Sequence, residues 1–311
     1  MKQHPSAQKF TGTKNTVVTI GTFDGVHIGH RKIINRLIAC AHTNDYESVV
    51  LTFFPHPRMV VQKDTGIKLI NTITERTALL EKTDLDHLII HPFTQEFSRL
   101  TAEDFVKDIL VDQLKARKVI IGYDHHFGRN RNANIDDLRK FGKLYDFDVE
   151  EISKKDIDDV AISSTKIRQA LEVGDLQKAN TYLGYPFMLN GIVSRGKGLG
   201  RKMNYPTANL KIEEDYKLIP CKGVYVVRSV IDGKPVYGMM NIGTNPTVGG
   251  NKLSVETYFF DINSDLYNKK LQIELLTRIR DEKKFNTVEE LIIAMQEDET
   301  FSKKYIEKLN A

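Results

Sequence analysis

The chain of 311 residues has only two cysteines, Cys40 and Cys221, and neither stands in a CxxC pair or a Cys/His cluster. That scarcity excludes a disulfide framework and a structural zinc site, and it points to a reducing compartment. No apolar run approaches the roughly 18 residues that a membrane-spanning helix needs, and the opening MKQHPS lacks the apolar stretch of a signal peptide. The expected location is therefore cytoplasmic. Charge of one sign is also missing. Lys and Arg number 45 against 41 Asp and Glu, leaving +4, which is too little to imply nucleic acid or a membrane surface as partner. Internal repeats and low-complexity tracts are absent. What is present is ordinary globular material, 41% hydrophobic and 28% charged. At roughly 150 residues per domain, the length suggests two domains.

The two halves differ in rhythm. Short apolar runs at 16–21, 48–53, 87–91 and 118–122 alternate with helical patterns at 32–41 and 101–114. The second helical pattern opens TAED, a capping-box-like start. Strand and helix in alternation predict a parallel sheet covered by helices. From Phe187 the runs shorten, at 191–193, 223–227, 234–240 and 254–260, with the turn dipeptide Asp232-Gly233 between two of them. That rhythm predicts an antiparallel barrel or sandwich. A helix follows, with a capping box at 287–290 and an apolar stripe of Leu291, Ala294 and Met295. The expected division lies near 184–186, giving domains 1–185 and 186–311.

The first strand runs straight into GTFDGVHIGH at 21–30 and then a helix. Ligands of open α/β sheets bind at the carboxyl ends of strands, where this turn falls. Gly25 and Gly29 allow tight turns and close approach to phosphate. His27 and His30, three residues apart at a helix start, could donate to phosphate oxygens as charge develops. HxGH alone is more often a pair of surface or capping histidines; its place after a first strand and before a helix reverses that and favours a site. A second element, ISSTKIR at 162–168, sets Ser163, Ser164 and Thr165 at a helix start with Lys166 and Arg168 just inside. It reads as a phosphate clamp or as a plain N-cap.

These two segments resemble the paired signatures of the HxGH nucleotidylyltransferase superfamily. TFFPHP at 52–57 and GYDHHFG at 122–128 narrow the resemblance to the FMN adenylyltransferase module of bacterial FAD synthetases. The resemblance implies a Rossmann-like α/β domain in which His27, His30 and Arg168 are catalytic. It puts Gly21, Phe23, Asp24, Gly29, Ser163, Ser164 and Thr165 on ATP, and His56, Pro57, Asp124 and Phe127 on the flavin. From the residues alone, the Pro55–Pro57 turn could be merely rigid and Phe127 merely core. The chain departs from the family pattern at His125, where an aromatic is usual.

In the second half, GIVSRGKGLGR at 191–201 frees backbone around an anion with Gly196, Gly198 and Gly200, while Lys197 and Arg201 add charge. No GK[ST] follows, so this is not a Walker A loop. PTAN at 206–209 puts Thr207 and Asn209 on one side of an extended segment, where hard oxygens suit Mg²⁺. Glu256 sits in the apolar pattern VETYFF, either solvated or positioned as a base. Together these resemble the riboflavin kinase barrel, mainly antiparallel with a C-terminal helix. The resemblance implies Thr207 and Asn209 as metal ligands, Glu256 as catalytic base, Gly196, Lys197, Gly198 and Arg201 on ATP, and Arg280 on the flavin side. In this order the motifs are similar to those of prokaryotic bifunctional FAD synthetases. The expectation is two ATP-dependent transfers needing Mg²⁺: riboflavin to FMN, then FMN to FAD with release of pyrophosphate. Partners would be small molecules, and any self-association weak. A degenerate N-terminal domain, or a flavin-sensing module without turnover, are the rival readings.

Overall fold

The run TVVTI forms strand β2 (Thr16–Ile20), and all five residues are buried. A strand buried on both faces reads as a continuous apolar stretch because it lies inside a parallel sheet. In the computed structural model, which describes residues 1–62, 66–122, 125–153, 162–196, 200, 203–247, 250–262 and 264–310, two units separate, Met1–Ser164 and Thr165–Ala311.

The first unit is built on a six-stranded sheet ordered β1-β4-β3-β2-β5-β6, all of whose pairings are parallel. The other strands are β1 (Lys2–His4), β3 (Glu47–Phe54), β4 (His87–Pro92), β5 (Ala116–Gly122) and β6 (Asp148–Ile152). Alternation sends neighbouring strand residues to opposite faces. Val17, Val50 and Ile120 join Ile34 and Leu37 of α1 (Ile28–Thr43) on one face. Val18, Leu51 and Val119 join Phe105 and Leu110 on the other. Further α-helical segments among the described residues of this unit are α2 (Pro57–Val61), α3 (Ile73–Leu80), α4 (Ala102–Asp104) and α5 (Ile135–Tyr145). Thr101 caps α4 as expected, accepting from the Asp104 N–H at 3.1 Å. The segment then widens into a π-helix, Phe105–Gln113, which buries Phe105, Val106, Ile109 and Leu110.

The second unit holds α6 (Ser164–Val173) from Thr165 onward and α7 (Leu176–Leu183), followed by a closed barrel ordered β10-β11-β8-β7-β12-β9. Its strands are β7 (Phe187–Ser194), β8 (Ala208–Lys211), β9 (Gly223–Ile231), β10 (Lys234–Thr247), β11 (Gly250–Phe259) and β12 (Lys270–Arg280). Closure decides between barrel and sandwich. Register pairs Leu189 with Ile273, Phe187 with Leu275, and Leu275 with Val227, and all five of these side chains are fully buried. They fill the barrel interior. Asp232 and Gly233, at φ 50° and 79°, make the β9–β10 turn, since only that backbone twist matches the flanking strands. Asn180 of α7 donates to the Leu275 carbonyl at 3.0 Å and accepts from the Phe187 N–H at 2.7 Å, so α7 packs with the barrel. Helix α8 (Val288–Asn310) comes last, with the Thr287 hydroxyl accepting from the Glu290 N–H at 3.1 Å.

Edge strand β1 is held by a chain of histidines. His4 Nε2 meets His87 Nδ1 at 3.0 Å, His87 Nε2 lies 3.4 Å from Glu47, and His91 Nδ1 accepts from the Ala7 N–H at 3.1 Å. Burial is the main cause that holds all three imidazoles below the ordinary histidine value. A depressed histidine leaves the unfolded chain binding more protons, so its stability contribution is whole above about pH 6.5 and lost as pH falls below it. Thermal unfolding followed between pH 7.5 and 5 is expected to show a falling Tm, and His87→Gln should flatten the profile. A profile that stays level in the unsubstituted chain would contradict this.

Two candidate active sites

In the parallel sheet β3 and β4 lie to one side of β2, and β5 and β6 to the other. Strand order therefore reverses at β2, and the loops leaving β2 and β5 part at their carboxyl ends, opening a crevice. The GTFDGVHIGH turn stands there. His27 is the N-cap of α1, its Nδ1 accepting from the His30 N–H at 3.3 Å. The two imidazoles stack with centroids 3.6 Å apart, and Phe23 meets the His30 ring edge-on at 5.1 Å. Phe23 and Val26 hold φ of 47° and 34°, a region that bulky and β-branched side chains rarely occupy and that clusters at functional sites. Burial first, then the charges of His27 and Arg76, push His30 well below the ordinary histidine value. Its buried Nδ1 makes no hydrogen bond among the described residues. At neutral pH His30 is thus an uncharged imidazole, able to donate from one nitrogen.

Asp24, expected on the nucleotide, faces inward. Its carboxylate is wholly buried and accepts the N–H groups of Ile70 and Asn71, both at 3.1 Å, with Arg76 Nη2 at 3.7 Å. Its carbonyl accepts the Ser164 hydroxyl at 2.9 Å, which brings the two signature segments together. Ser163 is half-buried beside it and Thr165 is exposed. Arg168 is one turn beyond Ser164 on α6 and so shares its face. Gly21 packs under Phe23, where a Cβ would lie 3.1 Å from the ring, and Gly29 is buried in α1. Sequence reading missed Ile70, Asn71 and Arg76; the capping box formed by Thr72 and Glu75 was the signal that a helix starts beside the site.

On the expected flavin side, His56 caps α2 at the end of β3, accepting from the Arg58 N–H at 3.2 Å, with Pro57 as first helical residue. Phe127 belongs to the core, 6.0 Å from Phe105. His125 lies nearly parallel to Phe127, with centroids 6.1 Å apart, so a flat ring stands at the position where the sequence departs from its family. Asp124 lies outside the described residues.

The barrel site lies on its outer face. Glu256 of β11 pairs directly with Asn209 of β8 on one side and Asn241 of β10 on the other. Opposed residues of an antiparallel pair share a face, so three polar side chains stand in a row across three strands. The Thr207 hydroxyl donates to Glu256 at 3.3 Å. A Cβ on Gly196 would sit 2.3 Å from Asn209 Nδ2, so any larger residue there would push the Asn209 amide out of its place. Thr207 and Asn209 supply hard oxygens on the face that Glu256 shares, a donor pair that fits Mg²⁺, with the carboxylate left beside it. Among the described residues no cluster of three His, Cys, Asp or Glu could hold a metal by itself. Lys197, Gly198 and Arg201 lie outside the described residues.

Two residues along from Thr207 and Glu256, on the same face, Tyr205 and Tyr258 meet edge-on at 5.0 Å. With Met203, Asn204 and the α8 residues Ile292, Gln296 and Glu299 they line a cavity of about 380 Å³. Glu299 accepts the Tyr205 hydroxyl at 3.0 Å, and burial together with that bond pushes Tyr205 up to about 12. The motif search did not find this wall, although the period of two along β11 points Tyr258 the same way as Glu256. Arg280, expected on the flavin side, is paired in a fork with buried Asp298 of α8, at 2.9 and 2.7 Å.

The comparisons agree in both halves. An FAD synthetase family model matches residues 9–166 and a riboflavin kinase family model residues 183–306. A bifunctional riboflavin kinase/FMN adenylyltransferase of Listeria monocytogenes is 35% identical over 95% of this chain and 94% of its own. The Escherichia coli K12 protein of the same name is 34% identical over 93% and 92%. A crystal structure from Streptococcus pneumoniae titled as a macrolide-efflux protein superposes with a TM-score of 0.86 at 29% identity, covering 97% of this chain and 98% of that one. No described helix here is long and apolar enough to cross a membrane. With both halves matched in order along relatives of nearly equal length, the chain belongs to the bifunctional riboflavin kinase/FMN adenylyltransferase family, its FAD synthetase domain N-terminal and its riboflavin kinase domain C-terminal.

Proposed function

We propose that the two activities run at two separate sites and that the residues above divide as follows. On the barrel, Glu256 takes the proton of the riboflavin 5′-hydroxyl as that oxygen attacks the γ-phosphate of ATP, the bond to the β-phosphate breaks and ADP leaves. Thr207 and Asn209 would hold Mg²⁺, which supplies neutralisation of phosphate charge when bound. The protein's share is positioning and charge placement rather than covalent chemistry. The flat flavin ring enters the cavity between Tyr205, Tyr258 and α8, and Arg280 acts through Asp298 by fixing that helix. Lys197, Gly198 and Arg201 complete the nucleotide loop with Gly196.

At the sheet, the FMN phosphate attacks the α-phosphate of ATP and pyrophosphate leaves. The attacking phosphate is already an anion, so no strong base is needed. His27, His30 and Arg168, with Ser163, Ser164 and Thr165, donate to the phosphates as charge builds. Gly21, Phe23, Asp24 and Gly29 shape the turn, while His56, Pro57, Asp124 and Phe127 border the flavin. The domains divide near 185. A cytoplasmic location fits the substrates and the two free thiols, Cys40 and Cys221.

The observation that carries this reading is the convergence of Thr207, Asn209 and Glu256 on one barrel face while the stacked His27 and His30 occupy the reversal point of the sheet. Incubation with riboflavin, ATP and Mg²⁺, with chromatography of the products, tests it. His30→Ala should stop FAD formation while FMN accumulates, and Glu256→Ala should stop riboflavin phosphorylation while added FMN is still converted. Loss of both activities in either folded variant refutes the two-site assignment. Gly196→Ala crowds Asn209 and is expected to slow riboflavin phosphorylation on the order of 100-fold, the scale of a 1 Å misplacement, with FMN adenylylation unchanged. A normal phosphorylation rate in that variant would remove Asn209 from the site.

A further inference from the structure

Arg76 is 2% exposed on α3 and belongs to none of the motifs that announce the nucleotide site. A guanidinium buried that deeply is expensive unless its charge is matched or used. Arg76 Nη2 stands 3.7 Å from Asp24 Oδ1, so the guanidinium faces the turn that carries the histidines. Asp24 at the same time accepts two backbone N–H groups, from Ile70 and Asn71. Arg76 Nη1 donates to Thr52 Oγ1 at 3.4 Å, and Thr52 donates to the Thr22 carbonyl at 3.1 Å. The guanidinium therefore grips the turn on either side of Phe23, the residue whose ring lies against His30.

We propose that Arg76 is a positioning residue for adenylyl transfer, fixing the 22–24 turn beneath His27 and His30 and setting a permanent positive charge behind them. The inference rests on the reading of those histidines as the adenylyl-transfer pair. Buried at this depth, Arg76 does not touch substrate; it acts on the groups that do. Its charge already disfavours a proton on His30, so the imidazole meets the nucleotide as a neutral donor. The positive field that a protonated histidine would have brought comes instead from a group that does not titrate in the working range. In a site of low dielectric, a fixed charge behind the donors favours a transition state richer in negative charge, so the effect falls on kcat more than on KM.

The test uses the full chain and measures FMN adenylylation and riboflavin phosphorylation side by side. Arg76→Met is expected to lower kcat for adenylylation on the order of 100-fold, with KM for ATP changed far less. Riboflavin phosphorylation, which belongs to the other unit, stays at its normal rate, and a cooperative thermal transition of the first unit above the assay temperature reports that the unit carrying Arg76 is folded. Arg76→Lys keeps the charge and should recover part of the loss. The deciding variant replaces both charges, Asp24→Asn with Arg76→Gln, and leaves no lone buried ion. If Arg76 serves the site, the double variant stays slow and the His30 resonance titrates at higher pH than in the unsubstituted chain. Recovery of adenylylation in the double variant, or an unmoved His30 titration, overturns the inference, because Arg76 would then only balance Asp24. His30→Ala is the reference: if it keeps adenylylation, the site reading falls together with this inference. If it abolishes adenylylation while Arg76→Met does not slow it, the role of Arg76 alone is refuted.

Discussion

A carboxylate with no exposure has to be compensated where it stands, and Asp24 is compensated by groups from outside its own loop. Two amides ahead of α3 and the Arg76 guanidinium meet its oxygens, and Ser164 reaches its carbonyl. Breaking one partner of such a buried pair costs about 3–5 kcal/mol, a large part of the 5–15 kcal/mol that holds a typical domain together. The turn that carries His27 and His30 is consequently not a free loop. It is held in a conformation that puts Phe23 and Val26 at positive φ, strain that persists only because its surroundings impose it.

The barrel solves a different problem. Its interior is packed with Phe187, Leu189, Val227, Ile273 and Leu275, leaving no room for a substrate, so the polar row Asn209, Glu256 and Asn241 points outward. An outward row needs a wall to exclude water, and α8 provides one, fastened by the Arg280–Asp298 fork and by Glu299 on Tyr205. The same alternation along β11 thus sorts Val255 and Thr257 to the core and Glu256 and Tyr258 to the site.

Much of this was legible from residue order. Apolar runs found β2, β3, β4 and β5, and Asp232-Gly233 found the β9–β10 turn, because each signal is local. Strand β12 was not anticipated: KLQIELLTRIR mixes charges into its alternation and fits a helix as readily as a strand, and only pairing with β7 and β9 fixes it. Edge strand β1 is three residues long, too short for any periodicity. The π-helix at 105–113 hides inside an ordinary helical pattern, since one wider turn changes the buried set only slightly. Among the candidate site residues, His27, His30, Thr207, Asn209 and Glu256 can be named from sequence because their motifs are contiguous. The inward turn of Asp24, the pairing of Arg280 with Asp298 and the wall of Tyr258 and Gln296 depend on segments far apart in sequence, which no spacing rule reports.

If the polar row outside the filled barrel is the kinase site, as proposed, its placement separates two kinds of selection. Substitutions in the interior alter how firmly the barrel holds together, while substitutions on the α8-facing side, where Tyr205 and Tyr258 pack, bear on the wall beside Glu256. A lineage could exchange core volume, one methylene for another, to suit a new growth temperature without renegotiating its substrate. It could equally reshape the α8 wall for a different ring system while the barrel beneath stays as it was.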